Sequence, residues 1–136
     1  MIKKNSISPK GNIHKGEIPN PDLRFSFKYF DDSDPHLCPP LFPVSYTQTL
    51  MQRLKELSSW TIKEFTGPTS KSLRNHSHDW SKTSRPAGFQ NLPKQLQGFQ
   101  GWQFQLSANE HGRVHGIILD HTFYVIWLDK NHQLYP

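Results

Sequence analysis

Apolar and polar positions alternate most regularly towards the C-terminal end of the chain. Trp102, Phe104 and Leu106 occupy every second position, with Gln103 and Gln105 between them. This is the period of a strand with one buried face. Arg113 to Leu119 and Thr122 to Leu128 are rich in Val, Ile, Phe, Tyr and Trp, residues that suit a pleated, half-buried surface. Only Asp120 and His121 separate these runs, which predicts a hairpin with a two-residue loop. The loop fixes a register: Leu119 faces Thr122, Gly116 faces Val125 and Arg113 faces Leu128. One face then carries Val114, Gly116, Ile118, Phe123, Val125 and Trp127, and is the expected core. The other carries Arg113, His115, Ile117, Leu119, Tyr124 and Ile126, with Gln103 and Gln105 beside the cations. That second face fits a site floor, and equally the ordinary polar side of an antiparallel sheet.

Upstream, Leu23 to Phe30 alternates as LRFSFKYF, with Leu23, Phe25, Phe27 and Tyr29 inward, and predicts a first strand. Asp31 to Pro43 is rich in Asp and Pro and reads as a loop. Ser45 can cap a helix, with Gln48 completing a capping box. Leu50, Met51, Leu54 and Leu57 follow at helical spacing, continued by Trp60 or Thr61 and by Phe65. Gly67-Pro68 ends the helix. Phe89 to Leu96 predicts a short second helix, with Pro93 in its first turn. Residues 1–22 lack periodicity and read as an irregular arm; residues 23–136 form one domain. The expected fold is α+β: a twisted antiparallel sheet of one N-terminal strand plus a C-terminal three-stranded meander, with helices on one face.

Composition narrows the function. The 136 residues suit one modest core, and 34% are hydrophobic. The net charge is +5 and the pI about 9.4, a balance that favours an anionic partner. Between Lys71 and Lys94, the cations Lys71, Arg74, Lys82, Arg85 and Lys94 face the single acid Asp79, which concentrates +4 of that charge. One reading is a phosphate-contacting edge of Lys71, Arg74, Lys82 and Arg85, with Trp80 placed to stack on a base. The other is a solvated loop whose Trp80 plugs a satellite core. Cys38 is the single cysteine; it excludes an internal disulfide and nothing marks it as a nucleophile. No long apolar run or signal-like segment is visible, so a cytoplasmic protein without membrane contact is expected.

No phosphate-binding glycine loop, nucleophile elbow or carboxylate pair stands out. The histidines near the hairpin do not form a tight ligand set by proximity alone, so no metal or other cofactor is expected. Arg113, His115, His132 and Tyr135 form a different set. A cation, an imidazole and a phenol with no protein nucleophile suit RNA cleavage, in which the substrate's 2′-hydroxyl attacks. The alternative is that Arg113 and His115 are exposed sheet residues and Tyr135 caps the core.

The element order, with GRVHGIILDHTFYVIWLD and HQLYP at the C-terminus, resembles the RelE/YoeB-type toxins of bacterial toxin–antitoxin pairs. The resemblance covers roughly residues 23–136. It implies a RelE-like fold and a metal-independent endoribonuclease that cuts mRNA on the ribosome and is neutralised by an antitoxin. Carried over by position, Arg113 would stabilise the phosphate, His132 would act as acid or base, and Tyr135 would align or activate the 2′-hydroxyl. Lys71 and Arg74 would hold an RNA backbone. The N-terminal arm, the Asp31 to Pro43 loop, His115 and Asp129 have no counterpart in that pattern. From a different class, a non-catalytic basic module that binds nucleic acid or an acidic protein through the same face fits the same residues.

Overall fold

The computed structural model describes residues 22–67, 76–107 and 111–136. Residues 1–21 of the N-terminal arm, Lys71 and Arg74 lie outside them. The architecture is α+β. Strands β1 (Arg24–Ser26), β2 (His76–Ser77), β3 (Gly101–Gln105), β4 (Arg113–Leu119) and β5 (Thr122–Asp129) form one sheet in the order β1-β5-β4-β3-β2. Helices α1 (Val44–Leu57) and α2 (Ile62–Thr66) complete the regular elements.

Strands β3, β4 and β5 form the expected antiparallel meander, with Gln103 opposite His115 and Gln105 opposite Arg113. The sheet as a whole is mixed, because β1 runs parallel to β5, pairing Phe25 with Phe123. Alternation in LRFSFKYF reports a half-buried strand but not its direction. The ladder also stops at Ser26: Phe27 is exposed and a turn closes from the Phe30 N–H to the Phe27 carbonyl. The neighbouring edge of β5 is then held by the following loop, where the Asp31 N–H bonds the Ile126 carbonyl and the Trp127 indole bonds the Asp31 carboxylate.

The hairpin turns at Asp120-His121, with Asp120 in the left-handed region at φ 55°. Its register is the expected one from Leu119↔Thr122 to Gly116↔Val125. Then a bulge intervenes between His115 and Gly116, so His115 pairs with Trp127, Val114 with Leu128 and Arg113 with Asp129. One extra residue on β5 reverses the alternation beyond it. Trp127 therefore leaves the expected core face and joins the face of Arg113 and His115, whereas Leu128 moves the other way. Gly116 permits this crowding: a Cβ there would lie 2.0 Å from the Tyr124 carbonyl oxygen.

The sheet has a core on each side. Against one face pack the buried stripe Tyr46, Leu50, Leu54 and Leu57 of α1 and Phe65 of α2, meeting Phe104, Leu106, Val114, Phe123, Val125 and Leu128. Each such side chain contributes roughly 1.5–3 kcal/mol by leaving water. The helical region is two helices rather than one. Pro43, not Ser45, is the N-cap of α1, without a side-chain bond, and Met51 is exposed. The capping box belongs to α2, where Thr61 and Glu64 bond each other's backbone N–H. The Ser58 and Ser59 hydroxyls bond the Lys55 and Glu56 carbonyls at the break, the competition with helix that serine offers.

The second face is covered by irregular chain. Ile117, Ile126 and Trp127 pack with Leu37, Phe89, Leu92 and Leu134, and partly buried Tyr29, Trp80 and Tyr135 close the cluster. The expected second helix is reduced to a 3₁₀ turn at Lys94–Leu96, capped by Pro93. Gln97 holds the turns before it by bonding the Leu92 carbonyl. Cys38 is buried between loop and sheet, and burial pushes its thiol pKa up, against the pull of a Leu128 backbone hydrogen bond. A protonated, enclosed thiol is unreactive.

Candidate active site

The second face carries a chain of polar side chains through its apolar cluster. Tyr135 Oη lies 2.8 Å from His78 Nδ1. His78 Nε2 lies 3.1 Å from His115 Nδ1, and His115 Nε2 lies 3.1 Å from Asp129 Oδ2. His115 and Asp129 are completely buried, His78 nearly so, and Tyr135 is half-buried. The elements explain the assembly. The bulge rotates Asp129 onto the face of His115; the unbroken register would have placed it opposite. His78 follows β2 and is fixed by its N–H to the Gly101 carbonyl. Its ring lies over Gly101, where a Cβ would come within 2.7 Å of it and of Trp80.

Asp129 also organises the tail. Its Oδ1 accepts the Gln133 N–H at 2.8 Å and its Oδ2 the Leu134 N–H at 3.0 Å. His132, at φ 55°, makes the reversal, and the Leu134 carbonyl then accepts the Ser84 N–H. The tail thus returns beneath the irregular segment and brings Tyr135 to His78. Burial alone would raise the Asp129 carboxyl pKa, but the His115 hydrogen bond and charge, with the two backbone N–H groups, hold it below the ordinary range.

Arg113 and His132 stand beside this chain. Arg113 Nη1 is 3.4 Å from His132 Nε2, and both side chains are half-buried. A guanidinium only donates, so that His132 nitrogen is the acceptor and the imidazole is neutral in this arrangement. Burial and the Arg113 charge lower its pKa, against a smaller opposite pull from Asp129. Burial raises the Tyr135 phenol pKa, with an Asp79 backbone hydrogen bond pulling it down.

Of the residues singled out by sequence, Arg113 and His132 come together, and His115 and Tyr135 are joined through His78. Trp80 sits edge-on to Phe89 and Trp127 inside the cluster, as the satellite-core alternative has it. Arg85 is engaged with Asp34 at 2.7 Å, tying the irregular segment to the Asp31–Pro43 loop. The Lys82 side chain is 77% exposed and only loosely paired with Asp79 at 3.9 Å. Sequence reasoning missed His78, which lies in an aperiodic stretch, HSHDW, with no pattern to place it. Among the described residues no group of three His, Cys, Asp or Glu side chains is arranged to hold a metal ion, and no helix is long and apolar enough to cross a membrane.

The chain matches no protein-family model, no curated protein and no solved structure.

Proposed function

We propose that this protein is a metal-independent endoribonuclease of RelE-like fold, a toxin that cleaves mRNA on the ribosome and is neutralised by an antitoxin. The observation that carries the reading is the Arg113–His132 contact beside the polar chain that ends at Tyr135. A scissile phosphate that draws Arg113 away from His132 frees the His132 Nε2 lone pair. His132 is then a neutral base for the 2′-hydroxyl, and Arg113 stabilises the charge that grows on the phosphorane. The net charge of +5 supports an RNA partner. The test is induced expression with growth and mRNA 5′ ends followed together, for the intact chain and for Arg113→Ala. Growth arrest with discrete new 5′ ends is expected from the intact chain. Arg113→Ala should lower the cleavage rate by about a hundredfold or more.

A second reading has one observation in its favour. His115 and Asp129 are completely buried, as a polar network that specifies the fold would be. The protein is then a basic binding module without chemistry. RNA or ribosome binding by the intact chain, with no cleavage, supports that reading and removes the first.

A further inference from the structure

We infer that Tyr135 is the general acid for the leaving 5′-oxygen, reloaded through the buried relay His78–His115–Asp129. The inference rests on the ribonuclease reading and deepens it.

The three contacts, at 2.8, 3.1 and 3.1 Å, use both ring nitrogens of both histidines. Hydrogen-bond chemistry then allows two directions of donation. Without an extra proton, Tyr135 donates to His78, His78 to His115, and His115 to the Asp129 carboxylate. With one extra proton on the relay, His115 donates from both nitrogens, so His78 accepts at Nε2 and donates from Nδ1 to the Tyr135 oxygen. With the Tyr135 oxygen accepting from His78, the phenolic O–H points away from the relay. A buried carboxylate is costly without a compensating charge, which favours the relay holding that proton.

The step balances. The P–O5′ bond breaks and its electron pair stays on the 5′-oxygen, which takes the proton of Tyr135. Tyr135 takes the Nδ1 proton of His78, and His78 takes at Nε2 the Nδ1 proton of His115. His115 is left neutral, still donating to Asp129, and solvent restores the proton to the relay. Nothing is oxidised or reduced. Tyr135 is the only member to touch substrate. His78, His115 and Asp129 are positioning residues, and His132, three positions before Tyr135 on the same tail, serves as the base.

An acid is needed only by a poor leaving group. The experiment compares an all-oxygen mRNA with one carrying a single bridging 5′-sulfur at the cleaved position, whose thiolate departs unprotonated. Both are read on programmed ribosomes by the 5′ ends formed. Tyr135→Phe should lower oxygen-substrate cleavage by about a hundredfold to ten-thousandfold and leave the sulfur substrate near the intact rate. His78→Gln should show the same split, with a loss of about a hundredfold. His132→Gln should slow both substrates, because a base acts before the leaving group matters. Equal losses on both substrates for Tyr135→Phe and His78→Gln would overturn the relay and leave the ribonuclease reading standing. Absence of cleavage by the intact protein would overturn both.

Discussion

The two faces of the sheet are built differently. The α1/α2 face is covered by regular elements and joined by side chains that are almost wholly apolar. The opposite face is covered by loops, the 3₁₀ turns Trp80–Lys82 and Lys94–Leu96 and the returning tail, and its apolar cluster encloses His78, His115, Gln103, Gln105 and Asp129. Apolar packing is non-directional and tolerates small shifts. Buried polar groups must each meet a partner. The helical face therefore holds the sheet together, and the irregular face holds particular atoms at particular distances.

Gly116 is the point where the two faces meet, since its bulge decides which residues of β5 belong to each. Gly116→Ala should cost about 3 kcal/mol or more, because the obstructing atom is a backbone carbonyl that has no rotamer to change. Denaturant unfolding measures it. A loss below about 1 kcal/mol would show that the bulge relaxes easily and that the division between the faces is soft.

Asp129→Ala removes a buried carboxylate with three partners and should cost roughly 3–5 kcal/mol. Leu57→Ala, on the helical face, should cost a comparable 2–5 kcal/mol. The faces differ in what else changes. Asp129→Ala should release the tail, raising amide exchange at Gln133 and Leu134, and should be non-additive with His115→Ala. Leu57→Ala should leave those amides protected and add to either variant. Coupling between Leu57 and Asp129 of more than about 0.5 kcal/mol would mean that the two cores behave as one.

How much of this was legible in the sequence follows the same division. The meander, its two-residue loop and the stripe on α1 are periodic, and periodicity reports burial directly. The break between the helices was written in Thr61 and Glu64, but the Leu57-to-Phe65 spacing masked it. The bulge left one sign, Gly116 inside a strand otherwise rich in Val, Ile and Leu. Without it, alternation put Trp127 on the wrong side. Arg113, His132 and Tyr135 stood out because Arg113 opens a strongly apolar segment and His132 and Tyr135 follow it. The parallel pairing of β1 and the position of His78 depend on contacts between stretches distant in sequence. No local pattern encodes them.

Acid should act mainly on the irregular face. The folded Asp129 carboxyl titrates below its unfolded value of about 3.9. Its contribution is therefore present above that value and lost as pH falls through the folded pKa. His132 titrates below its unfolded value of about 6.5. Unfolding takes up its proton, so stability declines as pH falls from about 6.5 towards the folded pKa. His132→Gln should flatten the near-neutral part of the pH–stability curve, and Asp129→Asn part of the acid limb. Asp31 and Asp34, also held low, keep the remainder of that limb. An unchanged curve in both variants would remove the tail from the account of acid sensitivity.

The smallest effects separate cations that sequence reasoning grouped together. Arg85 bonds Asp34 and the Ser84 carbonyl, with its side chain 34% exposed, whereas Lys82 reaches into solvent. A hydrogen-bonded, partly screened pair is worth about 1 kcal/mol. Arg85→Ala should lower stability by about that much and leave the salt dependence of RNA binding unchanged. Lys82→Ala should leave stability within about 0.5 kcal/mol and reduce the salt slope by about 0.7 if Lys82 neutralises one phosphate of a single strand. Binding titrations at several salt concentrations, with unfolding curves on the same samples, give both numbers. The reverse pattern would mean that Arg85 exchanges Asp34 for a phosphate when RNA binds. The Asp31–Pro43 loop, which that ion pair ties to the irregular face, would then be part of the RNA surface as well.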